Sequence, residues 1–223
     1  MNYHVDFELD FKRNTYPGKF IVIEGIDAAG KTTHVKLLEE FLSPNKKLFM
    51  TKNPTSGEIG QFIRRALRED FPTTTLAIQY LYAADRHIQQ QEIIEHLKQG
   101  DTVLSDRYFW SSLAYGLADK DEVDFEKDGQ VLLVALSILS MYYQFILPDL
   151  TIYVSIPPEI ALERLSKMDK KREVYERKEI LERIAKGYKW VNEKFKEHIK
   201  IVDGQQPITA VDAEIKKLLQ PLI

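Results

Sequence analysis

Cysteine is absent from all 223 residues. Its absence excludes disulfides, thiolate metal sites and cysteine nucleophiles, and it fits a reducing compartment or a hot one. An excess of one charge is lacking too, since 31 Lys and Arg face 34 Asp and Glu, a formal net charge of −3. Nothing in that balance makes a surface for coating nucleic acid. A site for anions must then be assembled locally, from a few arginines and a helix N-terminus. Long hydrophobic runs are missing as well. The most apolar stretch, Val131 to Ile146, is interrupted by Ser137, Ser140 and Gln144, and it is short for a bilayer span. No membrane partner is expected. The residues before Lys19 mix acids with bases and carry no apolar core segment, so no signal or transit peptide is expected, and the compartment read is the cytoplasm.

With those classes removed, 44% hydrophobic and 29% charged residues describe a globular protein. The length suits one domain, residues 20–223, behind an extension of residues 1–19. The stretch that organises the chain is Phe20-Ile21-Val22-Ile23-Glu24, followed by Gly25-Ile26-Asp27-Ala28-Ala29-Gly30-Lys31-Thr32-Thr33. A short buried strand runs into a glycine-bounded loop and then into a helix. The spacing is that of the phosphate-binding loop G-x-x-x-x-G-K-[ST]. The glycines let the backbone wrap until its N–H groups from Ala28 to Thr32 point into one cavity. Lys31 supplies a full charge for the outer phosphates, and Thr32 a hydroxyl for Mg²⁺.

The remaining pattern alternates short apolar strands with amphipathic helices. Strands are expected at Leu48 to Thr51, Thr102 to Ser105, Leu150 to Ile156 and Ile199 to Asp203. Helices are expected over Thr32 to Leu42, Glu58 to Arg68, Thr74 to Lys98 (with a cap among Thr73 to Thr75), Phe109 to Leu117, Val131 to Ile146, Pro157 to Lys167, Glu179 to His198 and Pro207 to Leu219. This predicts an α/β fold, a five-stranded parallel sheet with helices on both faces. Met1 to Gly18 alternates weakly and suggests an edge strand or hairpin arm. The Val131 to Ile146 helix, apolar nearly all round, would be buried centrally or shared with a second subunit.

Gly25, Asp106 and the Pro157 turn fall at the carboxyl ends of strands, where ligands bind in such sheets, and four constellations carry chemistry. Asp27 inside the loop either caps the loop backbone or holds a hydroxyl or a metal-bound water. Asp106-Arg107-Tyr108 follows the third strand. Arg107 suits a bidentate phosphate grip, and Asp106 either binds Mg²⁺ through water or orients an arginine. Ser111 or Ser112 shares a helix face with Tyr115. Tyr82, Asp85, Arg86 and Gln89 share a face of the long helix, either as a solvated stripe or as one wall of a base pocket. Arg164, Lys167, Lys170, Lys171, Arg172 and Arg177 form a basic run, either a solvated surface or a mobile lid over about 166–178.

Taken together these residues resemble the thymidylate kinases, P-loop nucleoside monophosphate kinases. The resemblance rests on Glu24 to Thr33, Tyr82-Ala83-Ala84-Asp85-Arg86, Asp106-Arg107-Tyr108, Pro148-Asp149-Leu150-Thr151 with Pro157-Pro158-Glu159, and Val202 to Pro207. It implies a P-loop NTPase fold, ATP as donor, Mg²⁺, dTMP as acceptor, and a homodimer. It also implies roles. Gly25 to Thr33, with Arg164 and Gln206, would hold the donor nucleotide. Tyr82 would stack on thymine, Arg86 would bond its carbonyl, and Ser112 would face the base. Tyr115 would pack under the deoxyribose, Arg107 would hold the dTMP phosphate, and Asp27 would bond the sugar 3′-hydroxyl or steady the acceptor phosphate. Thr32 and Asp106 would serve the metal.

The chain departs from the family pattern in three places. Ala28 and Ala29 stand where some members carry a loop arginine, which moves the catalytic cation to a lid residue, Arg172 first and Arg164 second. Lys171 stands where the lid usually has an acid. Lys52-Asn53-Pro54 replaces the usual R-E-P. Other readings stay open: a deoxynucleoside kinase, with Glu24 near the position of its general base; a kinase of dUMP, UMP or another monophosphate; and, in a different class, a P-loop switch that hydrolyses nucleotide.

Overall fold

The computed structural model describes residues 10–119, 125, 128–168 and 173–223. Its centre is a five-stranded parallel sheet built from β2 (Lys19–Glu24), β3 (Leu48–Lys52), β4 (Thr102–Asp106), β6 (Leu150–Ser155) and β7 (Ile199–Asp203), in the order β3-β4-β2-β6-β7. A two-residue pair, β1 (Lys12–Arg13) with β5 (Ile146–Leu147), lies apart from it and is also parallel. The helices are α1 (Lys31–Leu42), α2 (Glu58–Leu67), α3 (Thr75–Lys98), α4 (Phe109–Ala118), α5 (Asp128–Leu139), α6 (Pro158–Ser166), α7 (Lys178–Lys194) and α8 (Ile208–Leu219).

The three inner strands β4, β2 and β6 are mostly apolar and buried because both sheet faces are covered there. Phe20, Ile21, Val22 and Ile23 of β2 are all buried, as are Val103 and Leu104 of β4 and Ile152 and Val154 of β6. β2 is central, and its register sets the site. Ile23 pairs with Asp106 and Glu24 with Tyr153, while Lys52 pairs with Asp106 from the other side. The carboxyl ends of β3, β4 and β2 therefore open at one level, at the point where strand order reverses. α3 is capped by the Thr74 hydroxyl, which accepts from the Ala77 N–H at 3.2 Å, and it stops before Gly100, whose φ of 84° suits a residue without a Cβ.

Two expectations are corrected. The apolar run beginning at Val131 is not one helix to Ile146, because α5 ends at Leu139. Ser137 and Ser140 donate to the carbonyls of Val134 and Ser137 at 2.7 and 2.8 Å, and such local bonds compete with helix continuation. Tyr142 and Phe145 then turn into the core and Ile146 enters β5. Nor is α5 buried all round: Val131, Ala135, Ile138 and Leu139 point inward, whereas Leu132 and Leu133 are exposed.

Among the described residues, the N-terminal extension makes neither an edge strand of the main sheet nor a hairpin. Its described part lies against the middle of the chain. Phe11 stacks on Phe109 at 5.9 Å between ring centres and meets Trp110 and Phe195 edgewise or tilted. Asn14 donates to Asp149, whose carboxylate also accepts from the Phe20 N–H at 2.7 Å. The first nine residues lie outside the described set. Among the described residues no helix is long and apolar enough to cross a membrane.

α4 carries part of the site and is clamped by α7. A Cβ at Gly187 of α7 would stand 2.4 Å from the Ala114 carbonyl oxygen of α4, so the two helices touch backbone to backbone. Gly187→Ala is expected to lower unfolding stability by about 1–3 kcal/mol through overpacking. Urea unfolding checks this, and an unchanged midpoint with unchanged slope would mean that α7 can move off α4 at little cost.

Candidate active site

The loop between β2 and α1 closes because three residues take left-handed or related backbone. Gly25 has φ 154°, Ala28 60° and Gly30 93°. At Gly25 a side chain would also meet the Val154 carbonyl at 2.8 Å. Ala28 holds its φ without being glycine, a modest strain of the kind found where a loop is built for a ligand. The Lys31 ammonium donates to the Ile26 carbonyl at 2.8 Å. Burial, and after it the nearby Arg107 charge, lower the Lys31 pKa from 10.5 to about 8. A lysine desolvated this way gains more from an arriving anion than an exposed one. Thr32 donates its hydroxyl proton to Asp106 at 2.6 Å. Two hard oxygen ligands thus face each other at the mouth of the loop, a donor set that suits Mg²⁺ with the rest of its shell supplied by water and phosphate.

Arg107 stands at the junction. Its own φ is 75°, which turns the side chain back over the end of β2. Nη2 donates to Asp27 at 2.5 Å, and Nη1 donates to the Gly25 carbonyl, the Ser111 hydroxyl and the Tyr188 hydroxyl at 3.0, 3.1 and 3.3 Å. Burial works against the charge, but Tyr115, Asp27, Tyr188 and Glu24 outweigh it and hold the guanidinium well above its ordinary value. Asp27 also accepts from the Tyr115 phenol at 3.1 Å. Neither reading of Asp27 from the sequence describes this contact, because its carboxylate is the counter-charge of Arg107. Burial raises the Tyr115 phenol far above 10, with Arg107 opposing, so it stays a donor.

Behind Arg107 lies a cavity of about 400 Å³, lined by Asp27, Tyr82, Arg86, Arg107, Ser112 and Tyr115 among others. The stripe on α3 is a pocket wall and not a solvated face, since Asp85, Arg86 and Gln89 are each at most 3% exposed. Arg86 Nε donates to Asn53 Oδ1 at 3.1 Å, and Nη1 donates to the Ser112 hydroxyl at 2.6 Å and the Tyr142 hydroxyl at 3.3 Å. Its guanidinium carbon lies 4.9 Å from the centre of the Tyr82 ring. Among the described residues Nη2 has no hydrogen-bond partner. Asp85 turns the other way, accepting from the Thr55 N–H at 2.8 Å and the Thr55 hydroxyl at 2.5 Å. With Arg64, which donates to the carbonyls of Pro54 and Thr55, it pins the loop after β3.

On the opposite side a second cavity, of about 540 Å³, is lined by Ala28 to His34, Asp106, Arg164, Gly204 and Gln206. Arg164 donates to the Ala28 and Gly204 carbonyls, both at 3.1 Å, so it straps the phosphate loop to the loop after β7. Asp27, Thr32, Asn53 and Arg107 belong to both cavities. The two chambers meet at the phosphate loop.

The structure therefore gathers Asp27, Tyr82, Arg86, Arg107, Ser112 and Tyr115 in one chamber and Ala28, Ala29, Gly30, Lys31, Thr32, Thr33, Asp106, Arg164 and Gln206 in the other. Gly25 and Ile26 face the site through their carbonyls. Arg172, with residues 169–172 of the expected lid, lies outside the described residues. Two other members of the basic run pair on the surface, Lys167 with Glu163 and Arg177 with Glu69. Sequence reasoning missed Asn53 as a partner of Arg86, and with it Tyr142, Arg64 and Tyr188. Nothing in their local spacing marked them, because each reaches the site from a remote element.

The chain matches the family model described as thymidylate kinase over residues 23–215. It is 36% identical over 214 residues to a probable thymidylate kinase of Methanococcus aeolicus, covering 92% of this chain and 98% of that one. It is 33% identical over 213 residues to a thymidylate kinase of Clostridium novyi, covering 91% and 98%. The fold superposes on a solved thymidylate kinase from Candida albicans with a TM-score of 0.77 at 28% identity, covering 92% of both chains. A P-loop kinase fold with this extent of similarity leaves one assignment: the chain belongs to the thymidylate kinase family, phosphotransferases that carry a phosphoryl group from ATP to dTMP.

Proposed function

We propose that this chain transfers the γ-phosphoryl group of ATP to dTMP, giving dTDP and ADP, with the chambers on the two sides of the phosphate loop as donor and acceptor sites. The observation that supports this most is their common wall at Asp27, Thr32 and Arg107. In-line transfer needs two phosphates to meet end to end, and the reaction is carried mainly by positioning and charge. The N–H groups from Ala28 to Thr32, with Lys31, hold the ATP phosphates. Arg107 takes the acceptor phosphate, exchanging part of its hold on Asp27, and the freed carboxylate is placed for the sugar 3′-hydroxyl. Tyr82 stacks on the base and Arg86 Nη2 donates to its carbonyl. Thr32 and Asp106, directly or through water, would hold Mg²⁺, which would supply neutralising charge to the phosphates of the donor. Arg164 is engaged with Ala28 and Gly204, which leaves Arg172 as the lid arginine of the reaction.

The nucleoside kinase reading is disfavoured by Glu24. Its carboxylate is 1% exposed and already accepts from Tyr108, Ser111 and Tyr188, so it is not placed to deprotonate a substrate hydroxyl. A monophosphate acceptor needs no such base.

We further read residues 20–223 as a single kinase domain working in the cytoplasm as a homodimer. Exposed Leu76, Tyr80 and Ile88 lie on one face of α3, and Leu132, Leu133 and Tyr143 are exposed beside it. His87 meets the Met141 carbonyl at 3.0 Å, which makes the two surfaces adjoin. Exposed apolar side chains of this kind support an interface between two copies of the chain.

ADP release measured with dTMP, dUMP, UMP, dGMP and thymidine tests the assignment. dTMP is expected to give the highest kcat/KM and thymidine none, and a preference for thymidine would overturn the reading. Arg107→Ala should cost dTMP turnover about a hundredfold or more in kcat/KM while leaving ATP affinity within about threefold. Unchanged dTMP kinetics would remove Arg107 from the acceptor site. Tyr115→Ala should narrow discrimination between deoxyribo- and ribonucleotide acceptors, read as the ratio of kcat/KM for dTMP over its ribo analogue. A constant ratio would place the sugar elsewhere.

A further inference from the structure

Glu24 has no part in the chemistry above, yet it is among the most committed side chains in the molecule. It comes from the last position of β2, and its two oxygens accept four hydrogen bonds. Oε1 takes the N–H groups of Tyr108 and Ser111 at 2.8 and 3.3 Å, at the start of α4. Oε2 takes the Ser111 and Tyr188 hydroxyls at 2.6 and 2.8 Å. The same two hydroxyl oxygens receive Arg107 Nη1 at 3.1 and 3.3 Å, and they stand 2.8 Å from each other.

The directions of these bonds follow from the groups. A hydroxyl has one proton, an ionised carboxylate only accepts, and a guanidinium only donates. The carboxylate therefore draws the hydroxyl protons to its side, and the lone pairs turn to Arg107. A buried cation is steadied by acceptors, and these two accept because a charge behind them takes their protons. Nη1 is thereby held inward, against Ser111, Tyr188 and the Gly25 carbonyl. Nη2, which bonds Asp27, faces the wall that the two chambers share.

We propose that Glu24 is a positioning residue. Through the hydroxyls of Ser111 and Tyr188 it sets the orientation in which Arg107 takes the acceptor phosphate. The proposal rests on the reading of Arg107 given above. The competing role is that Glu24 only caps α4, which its bonds to the Tyr108 and Ser111 N–H groups would satisfy. The two roles differ in what they change. A cap changes stability, whereas a positioning residue changes the handling of one substrate and not the other.

Glu24→Gln separates them. The amide can still accept from the two backbone N–H groups, but its NH₂ opposes the hydroxyl protons, which must then turn towards Arg107. The variant is expected to raise the KM for dTMP about tenfold or more, the scale of a lost hydrogen bond to a charged group, with the KM for ATP within about twofold. Tyr188→Phe, which removes one relaying oxygen and little else, should move the dTMP KM several-fold in the same direction. In a Ser111→Ala/Tyr188→Phe background, Glu24→Gln should add little, because its route to Arg107 is gone. A lowered urea midpoint with both KM values unchanged, or an equal rise in both, would reduce Glu24 to a cap and overturn the proposal. If Glu24→Gln does not fold, Tyr188→Phe decides alone: an unchanged dTMP KM overturns it. Arg107→Ala is the reference. If that variant leaves the dTMP KM unchanged, the acceptor-site reading fails and this inference with it. If it raises the KM while Glu24→Gln and Tyr188→Phe do not, only this inference fails.

Discussion

A guanidinium buried at the end of a sheet must be matched by negative charge and acceptors, or it destabilises the chain around it. Arg107 is matched from four directions. Asp27 and the Gly25 carbonyl come from the phosphate loop, Ser111 from α4 and Tyr188 from α7. Three separate segments are thus drawn to one point, and each also borders a working surface. The phosphate loop holds its shape in part because Arg107 bonds one of its carbonyls, and α4 starts where it does because Glu24 receives its first free N–H groups. The left-handed φ of 75° at Arg107 is a local cost of about 1–3 kcal/mol that this convergence maintains. Free energy spent on backbone there yields a cation already aimed at the shared wall.

The second buried guanidinium is solved differently. Among the described residues the hydrogen-bond partners of Arg86 are neutral, Asn53, Ser112 and Tyr142. Neutral acceptors orient a cation without cancelling its charge, so it keeps its pull on a polar ligand in a low-dielectric chamber. Asn53 stands where the family usually has an acid. An acid there would pair with Arg86 or with its neighbours, and the amide instead links Arg86 to Gln89 through its own N–H at 2.9 Å. The departure at Lys52-Asn53-Pro54 thus enters the pocket wall through Asn53, whose backbone N–H also donates to the Asp106 carbonyl at 3.0 Å.

The fold was largely legible because its signals are local. An all-apolar β2 between a turn and a glycine loop reads as a central parallel strand, and Thr74 and Gly100 mark α3 at both ends. Where reading failed, the deciding contact was distant. The run from Val131 was apolar enough to be a helix to Ile146, but Phe145 and Ile146 leave the helix to pack against Tyr108 and the N-terminal extension. The extension looked like an edge strand because alternation says only that a segment has two faces, not which neighbour it meets. The contact between Asp27 and Arg107 was not read either, because the two stand eighty residues apart.

The sequence by itself determined the spacing of the phosphate loop, the five strands of the main sheet with the helices between them, and many of the residues that line the two chambers. Those follow from spacing along a chain, which backbone geometry converts directly into position. Only the tertiary structure decided how the charges are used. It made Asp27 the counter-charge of Arg107 and Arg164 a strap between the phosphate loop and the loop after β7. It turned Glu24 inward, away from any substrate. Each of these depends on which remote donors a buried carboxylate or guanidinium meets, because a buried charge is stable only beside partners that the packing of the sheet brings to it.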